Sequence, residues 1–389
     1  MQFATKKYKL IHFTRRRRFD LQAPVQIMDQ TIHPVADVTV LGLKLDSKLR
    51  WKAHAQAVKQ KMTAQMYALQ RTTASTWGAS MLKARQIYLS VIRSAIAYGA
   101  AHWHQPAKPA DRPKGLAAKF QKHQNDGLRA TLGAFKATPI RQLEIEAYVP
   151  PLDLWLNGRV ACFQARLERS GMAQKIRNAC SQIRSKIRTQ VHRQRPAHSP
   201  ATPGDARKQW AEKWVGMTLN LWGEREKKLV TRDWEERWKA ENKRLGRNLQ
   251  PSTDSGGRKT VCTDTPPTRR VLGLHKDLHK AESALLTQIR TGRIGLAKFL
   301  YSRRVPGFTT GRCQCGGGFE TPRHMALFCP QEATRRNQLK DPAGRAVPYA
   351  LLTGTNIGAK TFTKWIMLSG RLGQFSLAKR LLYASFSGE

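Results

Sequence analysis

The chain has 389 residues, and 69 Lys+Arg against 26 Asp+Glu give it a formal net charge of +43 and a pI near 10.9. That balance excludes an ordinary neutral enzyme, while a hydrophobic content of 40% excludes wholesale disorder. So large an excess needs counter-charge, and polyphosphate is its usual source, because each neutralised phosphate releases condensed counterions. RNA and DNA are therefore the expected partners, with no small-molecule substrate. No apolar run reaches the roughly 18 residues needed to span a bilayer. The longest candidate, Ile87 to Ala101, is interrupted by Arg93, so no membrane partner is expected. Met1 to Arg18 is basic without an apolar core or cleavage site, which argues against secretion and for a nuclear or cytoplasmic location with reduced thiols.

In chain order, Tyr8 to Phe13 and Val38 to Leu45 alternate with strand period, so two short strands are expected, with Leu41, Leu43 and Leu45 on one face. From Trp51 the spacing changes to three or four, through Ala55, Val58, Met62, Met66 and Leu69, behind Asp46 and Ser47, either of which can cap a helix. Leu82 to Gly99 repeats the pattern through Tyr88, Ile92 and Ile96, and Pro106, Pro109 and Pro113 mark a loop. Lys119 to Leu132 and Leu152 to Gly171 read as helices joined by a Pro139 to Pro151 segment, followed by a helix, Ile176 to Arg195, that is basic on almost every turn. Arg195 to Asp205 and Gln250 to Arg270 have linker composition. Between them Trp210 and Trp214, and Trp234 and Trp238, form i,i+4 pairs. Helices from His275 to Arg290 and on to about Arg304 precede a loop opened by Pro306-Gly307, and Phe362 to Phe386 is again amphipathic and basic.

The sharpest local signal lies in that loop. Cys313, Cys315, His324 and Cys329 follow the pattern C-x-C-x8-H-x4-C. Three thiolates and one imidazole fill a tetrahedron around zinc and leave no open position for a reactive water, so a structural metal is expected rather than a catalytic one. The spacing differs from the common C-x2-C forms, and the plainer alternative is reduced thiols in a Gly-rich loop with His324 on the surface. The other cysteines, Cys162, Cys180 and Cys262, are scattered.

Candidate nucleic-acid contacts are the run Arg15, Arg16, Arg17 and Arg18, the helix positions Arg184, Lys186, Arg188 and Arg193, and the pair Arg303 and Arg304. Each can equally be a solvated charged face. The tryptophan pairs can stack bases or pack a core, and core is the commoner outcome at helical spacing. His54, His102 and His104 are read as packing or surface residues. Two-metal phosphoryl chemistry needs grouped carboxylates, yet the sequence contains no Asp-Asp pair, and its one adjacent acidic pair, Glu235-Glu236, sits among Arg and Lys. No nucleotide-binding Gly loop, nucleophile elbow or zinc-protease motif is present either.

Several segments, in order, resemble the downstream half of LINE-type (non-LTR) retrotransposon reverse transcriptases, in particular the Tad- and jockey-like elements of fungi. They are Leu10 to Arg15, Val40 to Trp51, Ile87 to Gly99, Gly133 to Pro139 with Pro150 to Leu154, Glu282 to Gly292, the Cys/His cluster with Glu320-Thr321, and Ser369 to Leu377. The resemblance implies that the chain starts just after the catalytic Asp pair, so no catalytic residue is assigned. It further implies that the segment to Trp51 closes the palm, that the following helices form a thumb, and that polymerisation, with its Mg²⁺, belongs to residues missing upstream. Residues 1–50 are then a palm-end β remnant, 51–195 a basic thumb-like helical module, 196–270 linkers with a Trp-rich helix, and 271–389 a C-terminal region with the zinc site. The expected fold is mainly α. The expected function is binding of RNA and single-stranded DNA, with zinc as a structural cofactor. Alternatives are a polymerase component completed in trans and a domesticated protein-binding adaptor.

Overall fold

The computed structural model describes residues 8–13, 20–27, 30–191, 226–245 and 266–383. These residues are mainly helical, with two β-hairpins near the start. Strands β1 (Val25–Ile27) and β2 (Gln30–Ile32) pair antiparallel, as do β3 (Asp37–Val40) and β4 (Leu43–Asp46). The two strands expected from alternation are corrected by this arrangement. Tyr8 to Phe13 contributes a lone bridge, Leu10 to Pro34, and Val38 to Leu45 folds back on itself at Leu41-Gly42. Leu41 (φ 48°) and Gly42 (φ 82°) both adopt left-handed backbone, as a two-residue hairpin turn with right-handed strand twist requires. Leu41 is consequently 88% exposed and out of line with Leu43 and Leu45. The Tyr98 hydroxyl donates to the Leu41 carbonyl, and a Cβ on Gly42 would lie 3.1 Å from the Tyr98 hydroxyl oxygen, so the turn is clamped onto the helices.

Helix α1 (Lys52–Thr72) buries Val58, Met62, Met66 and Leu69, the stripe picked out by periodicity. Asp46 organises its entry by accepting from the backbone N–H groups of Lys48 (3.2 Å), Arg50 (2.9 Å) and Lys52 (3.3 Å). Burial opposes the Asp46 carboxylate, but these N–H groups outweigh it and hold the carboxyl below its usual range. Helix α2 (Met81–Ile87) runs through a π-helical turn (Tyr88–Arg93) into α3 (Ser94–Ala97), and α4 (Ala100–Trp103) follows Gly99. The π turn brings Arg93 to the buried side beside Tyr88 and Ile92. There it donates to the Pro150 carbonyl (2.6 Å) and lies 4.3 Å from the Trp155 ring centroid.

Helices α5 (Gly115–Leu132), α6 (Ile140–Ala147), α7 (Leu152–Arg169) and α8 (Met172–Val191) complete this module. The proline-bounded connection expected between α5 and α7 thus contains a helix of its own. Pro139 and Pro151 stand at helix starts, where a missing N–H breaks no ladder bond. Helix α9 (Glu226–Arg244) packs along α7, burying Trp234 and Trp238 with Ile145 and Leu154. The Trp234 ring lies 5.6 Å from Tyr148, and the Arg141 guanidinium 5.2 Å from the Trp238 ring. These tryptophans are core and offer no face to bases or to a protein partner; Trp210 and Trp214 lie outside the described residues.

The C-terminal region comprises α10 (Val271–Leu274), α11 (Lys280–Thr291), α12 (Ala297–Ser302), α13 (Pro322–Leu327), α14 (Tyr349–Gly354), α15 (Asn356–Leu368) and α16 (Ser376–Tyr383). Its core gathers Leu285, Ile289, Met325, Phe362, Trp365 and Phe375. Helix α11 joins that core to the first module. Lys280 Nζ donates to the last carbonyls of α5, Ala130 (3.0 Å) and Thr131 (2.5 Å), and Gln288 donates to the Gly133 carbonyl (3.1 Å). Arg290 pairs with buried Glu146 at 2.9 Å. The amphipathic stretch expected from Phe362 onward is split, because α15 ends before a left-handed Gly370 (φ 74°) and α16 starts at Ser376.

Glu144 on α6 is buried and accepts from Gln121 Nε2 at 3.2 Å. Burial, and secondarily the Asp153 charge, push its carboxyl up from 4.5 to about 8. The folded chain then binds more protons than the unfolded one between those values, so the Glu144 contribution to stability falls as pH rises through the window. A Glu144→Gln variant is expected to lose that part of the slope when urea unfolding is followed from about pH 5 to about pH 8. Parallel stability curves for variant and parent would exclude this assignment.

Candidate metal centre

The first two ligand candidates sit on a tight loop. Arg312 and Phe319 bridge antiparallel, the Cys313 N–H donates to the Gly318 carbonyl (2.8 Å), and the Gly316 N–H donates to the Cys313 carbonyl (2.9 Å). Gly316 closes the turn with left-handed backbone (φ 75°), which lets Cys315 face back toward the bridge. The third candidate, His324, rides on α13. Thr321 caps that helix by accepting from the His324 N–H (3.0 Å), and Pro322 occupies its first turn. The Cys329 N–H donates to the His324 carbonyl (2.8 Å), so the helix end delivers the fourth candidate beside the third.

The four donor atoms lie within 4.8 Å of one another. Cys313 Sγ and Cys329 Sγ are 3.8 Å apart, and Cys315 Sγ and His324 Nε2 are 3.2 Å apart. A tetrahedron with zinc–sulfur bonds of ~2.3 Å has a sulfur–sulfur edge of ~3.8 Å, so the donor set and its spacing are compatible with a structural zinc ion. Cys313, Cys329 and His324 are buried, and Cys315 is half-buried.

Three thiolates around a divalent ion leave one negative charge, and Arg371 is placed against it. Its guanidinium stands 3.3 Å from Cys313 Sγ and 3.9 Å from Cys329 Sγ. Glu320 (2.8 Å) and Glu332 (3.0 Å) fix that guanidinium, and Glu320 also accepts from the Ala297 N–H (2.7 Å). Burial opposes the charge on Arg371, but Glu320 and the Cys313 sulfur hold its pKa above the ordinary value. Burial likewise raises the Cys313 thiol, yet the Cys315 backbone N–H and Arg371 outweigh it and bring the thiol down. Burial and the neighbouring thiols push Cys329 up. Arg371 and Glu332 escaped the sequence reading. The available signal was Arg371 within the Ser369 to Leu377 segment, but its reach to Cys313 spans 58 residues.

The basic candidates are less gathered. Arg303 and Arg304 are exposed at the C-terminal end of α12. Arg184, Lys186 and Arg188 lie on α8, which packs on α7. Arg15, Arg16, Arg17, Arg18 and Arg193 lie outside the described residues. Of the histidines given no role, His104 is buried with Nε2 2.7 Å from Asn157 Oδ1, a packing contact. No described helix is long and apolar enough to cross a membrane.

No protein-family model and no solved structure matches the chain. Over 130 residues it is 25% identical to the putative 115 kDa protein in type-1 retrotransposable element R1DM of Drosophila melanogaster. That stretch is 33% of this chain and 12% of the relative's length. The chain is thus related, over a third of its length, to a protein of a retrotransposable element.

Proposed function

We propose that this chain is an RNA- and single-stranded-DNA-binding part of a non-LTR retrotransposon reverse transcriptase, with a thumb-like helical module and a C-terminal region organised by one structural zinc. One observation carries the reading: acidic side chains are consumed inside the fold. Glu144, Glu146, Asp153, Asp233, Glu282 and Glu332 are all buried. Asp153, Glu146 and Glu332 are neutralised by Arg237, Arg290 and Arg371. A chain that starts from +43 therefore presents a surface still poorer in negative charge. The cleft between α2 and α10 illustrates it. Arg85, Arg269 and Lys276 line that cleft with Leu82, Leu89 and Leu272, and none of its lining residues is acidic. Converging like charges of this kind favour a polyanion.

Zinc here is a scaffold, because Cys313, Cys315, His324 and Cys329 fill its tetrahedron and leave no site for substrate. The polymerase step belongs to carboxylates this sequence does not supply. The purified chain is expected to retard a labelled single-stranded RNA in a gel-shift titration and to extend no primer on it. Absence of a shift at micromolar chain would contradict the binding reading, and dNTP incorporation above a no-protein blank would contradict the assignment of chemistry elsewhere.

A further inference from the structure

Two exposed aromatic rings flank the metal loop. Tyr301 on α12 is 50% exposed and Phe319, closing the loop, is 55% exposed. They converge on Gly311: a Cβ there would lie 3.5 Å from Tyr301 Cδ1, 3.5 Å from Phe319 Cδ1 and 3.1 Å from Lys298 Cα. Gly311 itself is buried under them. The Lys298 ammonium stands 5.3 Å from the Phe319 ring centroid. Exposed Arg312 is bridged directly opposite Phe319, and exposed Arg303 and Arg304 follow Tyr301. Glu320, next to Phe319 in sequence, is turned inward to Arg371 and the Ala297 N–H. The result is a pair of exposed rings with Lys298 and Arg312 beside one and Arg303 and Arg304 following the other, and with Glu320 withdrawn.

Large aromatic rings left half in water beside cations have a specific complement. Nucleobases stack on ring faces whatever their sequence, while the flanking phosphates meet Lys and Arg. A duplex keeps its bases stacked on each other and cannot use such rings. We infer that Tyr301 and Phe319 form a base-stacking platform for single-stranded nucleic acid, with Lys298, Arg303, Arg304 and Arg312 taking the adjoining phosphates. The inference rests on the nucleic-acid reading above and adds a strand preference to it. Phe319 closes the metal loop, which ties one of the two rings to the Cys/His cluster.

The test compares the full chain with a Tyr301→Ala/Phe319→Ala variant, titrated against a labelled 20-nucleotide single-stranded RNA and a 20-base-pair DNA duplex at one salt concentration. Loss of one stacked base predicts a drop of roughly 5- to 150-fold for the single strand, and a larger one if both rings carry a base, against less than about twofold for the duplex. Tyr301→Phe with Phe319→Tyr is expected to bind as the parent does. Equal losses on both ligands, or none, would overturn the platform. Should the parent bind neither ligand, the wider nucleic-acid reading fails instead. If the alanine variant does not fold, ultraviolet cross-linking of the parent to the same RNA decides the question. Adducts on Tyr301 or Phe319 are expected, and adducts confined to other regions would overturn the assignment.

Discussion

A Cys313→Ser variant is expected to lose its zinc and to unfold locally around residues 311–336, while the helices from Lys52 to Arg169 persist. Structural zinc sites carry an apparent binding free energy of roughly 10–16 kcal/mol near neutral pH, and that energy is coupled to local folding. Beyond the Arg371 pairs with Glu320 and Glu332 and the Arg335 contacts with Trp365, the segment has few apolar contacts to hold it. The metal loop contributes one bridge, α13 is six residues long, and its apolar contribution to the C-terminal core is mainly Met325 and Ala326. Metal analysis should give one zinc per parent chain and well under one for the variant. Hydrogen exchange should show protection of α13 lost on chelation and retained in α15, whose Phe362 and Trp365 lie in the core. Arg371→Met should weaken metal affinity by roughly 10- to 100-fold, the usual effect of removing a group that steadies the ligands. Full protection of α13 after chelation would contradict the proposed zinc scaffold.

Arg237→Met is expected to destabilise the chain by about 3–5 kcal/mol, the usual cost of stranding one member of a buried ion pair. Arg237 meets both Asp153 oxygens at 2.7 and 2.6 Å and donates to the Pro109 (2.6 Å) and Asp111 (2.9 Å) carbonyls. Both charged side chains are buried, so water cannot replace the lost guanidinium. Pairing Arg237→Met with Asp153→Leu should recover much of the loss, since the stranded carboxylate disappears. Urea unfolding followed by tryptophan fluorescence reads the effect at Trp234 and Trp238, three residues before and one residue after Arg237. A loss below about 1 kcal/mol for the single variant would mean that the pair does not anchor α9.

Where the sequence carried period or donor chemistry, the fold was legible. The α1 stripe from Val58 to Leu69 and the convergence of Cys313, Cys315, His324 and Cys329 follow directly from spacing. The first hairpins were hidden for a physical reason. The two-residue turn at Leu41-Gly42 shows only as a one-residue slip in the apolar alternation, from Val38 and Val40 to Leu41, Leu43 and Leu45, and Leu-Gly lacks the Asn-Gly or Asp-Gly signature of such turns. Arg93 read as an interruption of an apolar stretch, yet the π turn carries it inward to the Pro150 carbonyl, a contact 57 residues away. Long-range pairing also concealed Arg371 at the thiols and Arg237 at Asp153, because nothing local distinguishes those arginines from the many on the surface. The aromatic platform was equally invisible, since Tyr301 and Phe319 come together only through their shared approach to Gly311.

The most direct test of the central claim, that a cationic exterior grips nucleic-acid phosphates, is the salt dependence of affinity for a single-stranded RNA between about 50 and 200 mM monovalent salt. With about eight phosphates contacted, log K should fall linearly with log salt at a slope of about −5 to −6, at ~0.7 per contact on a single strand. A slope near zero would contradict the account.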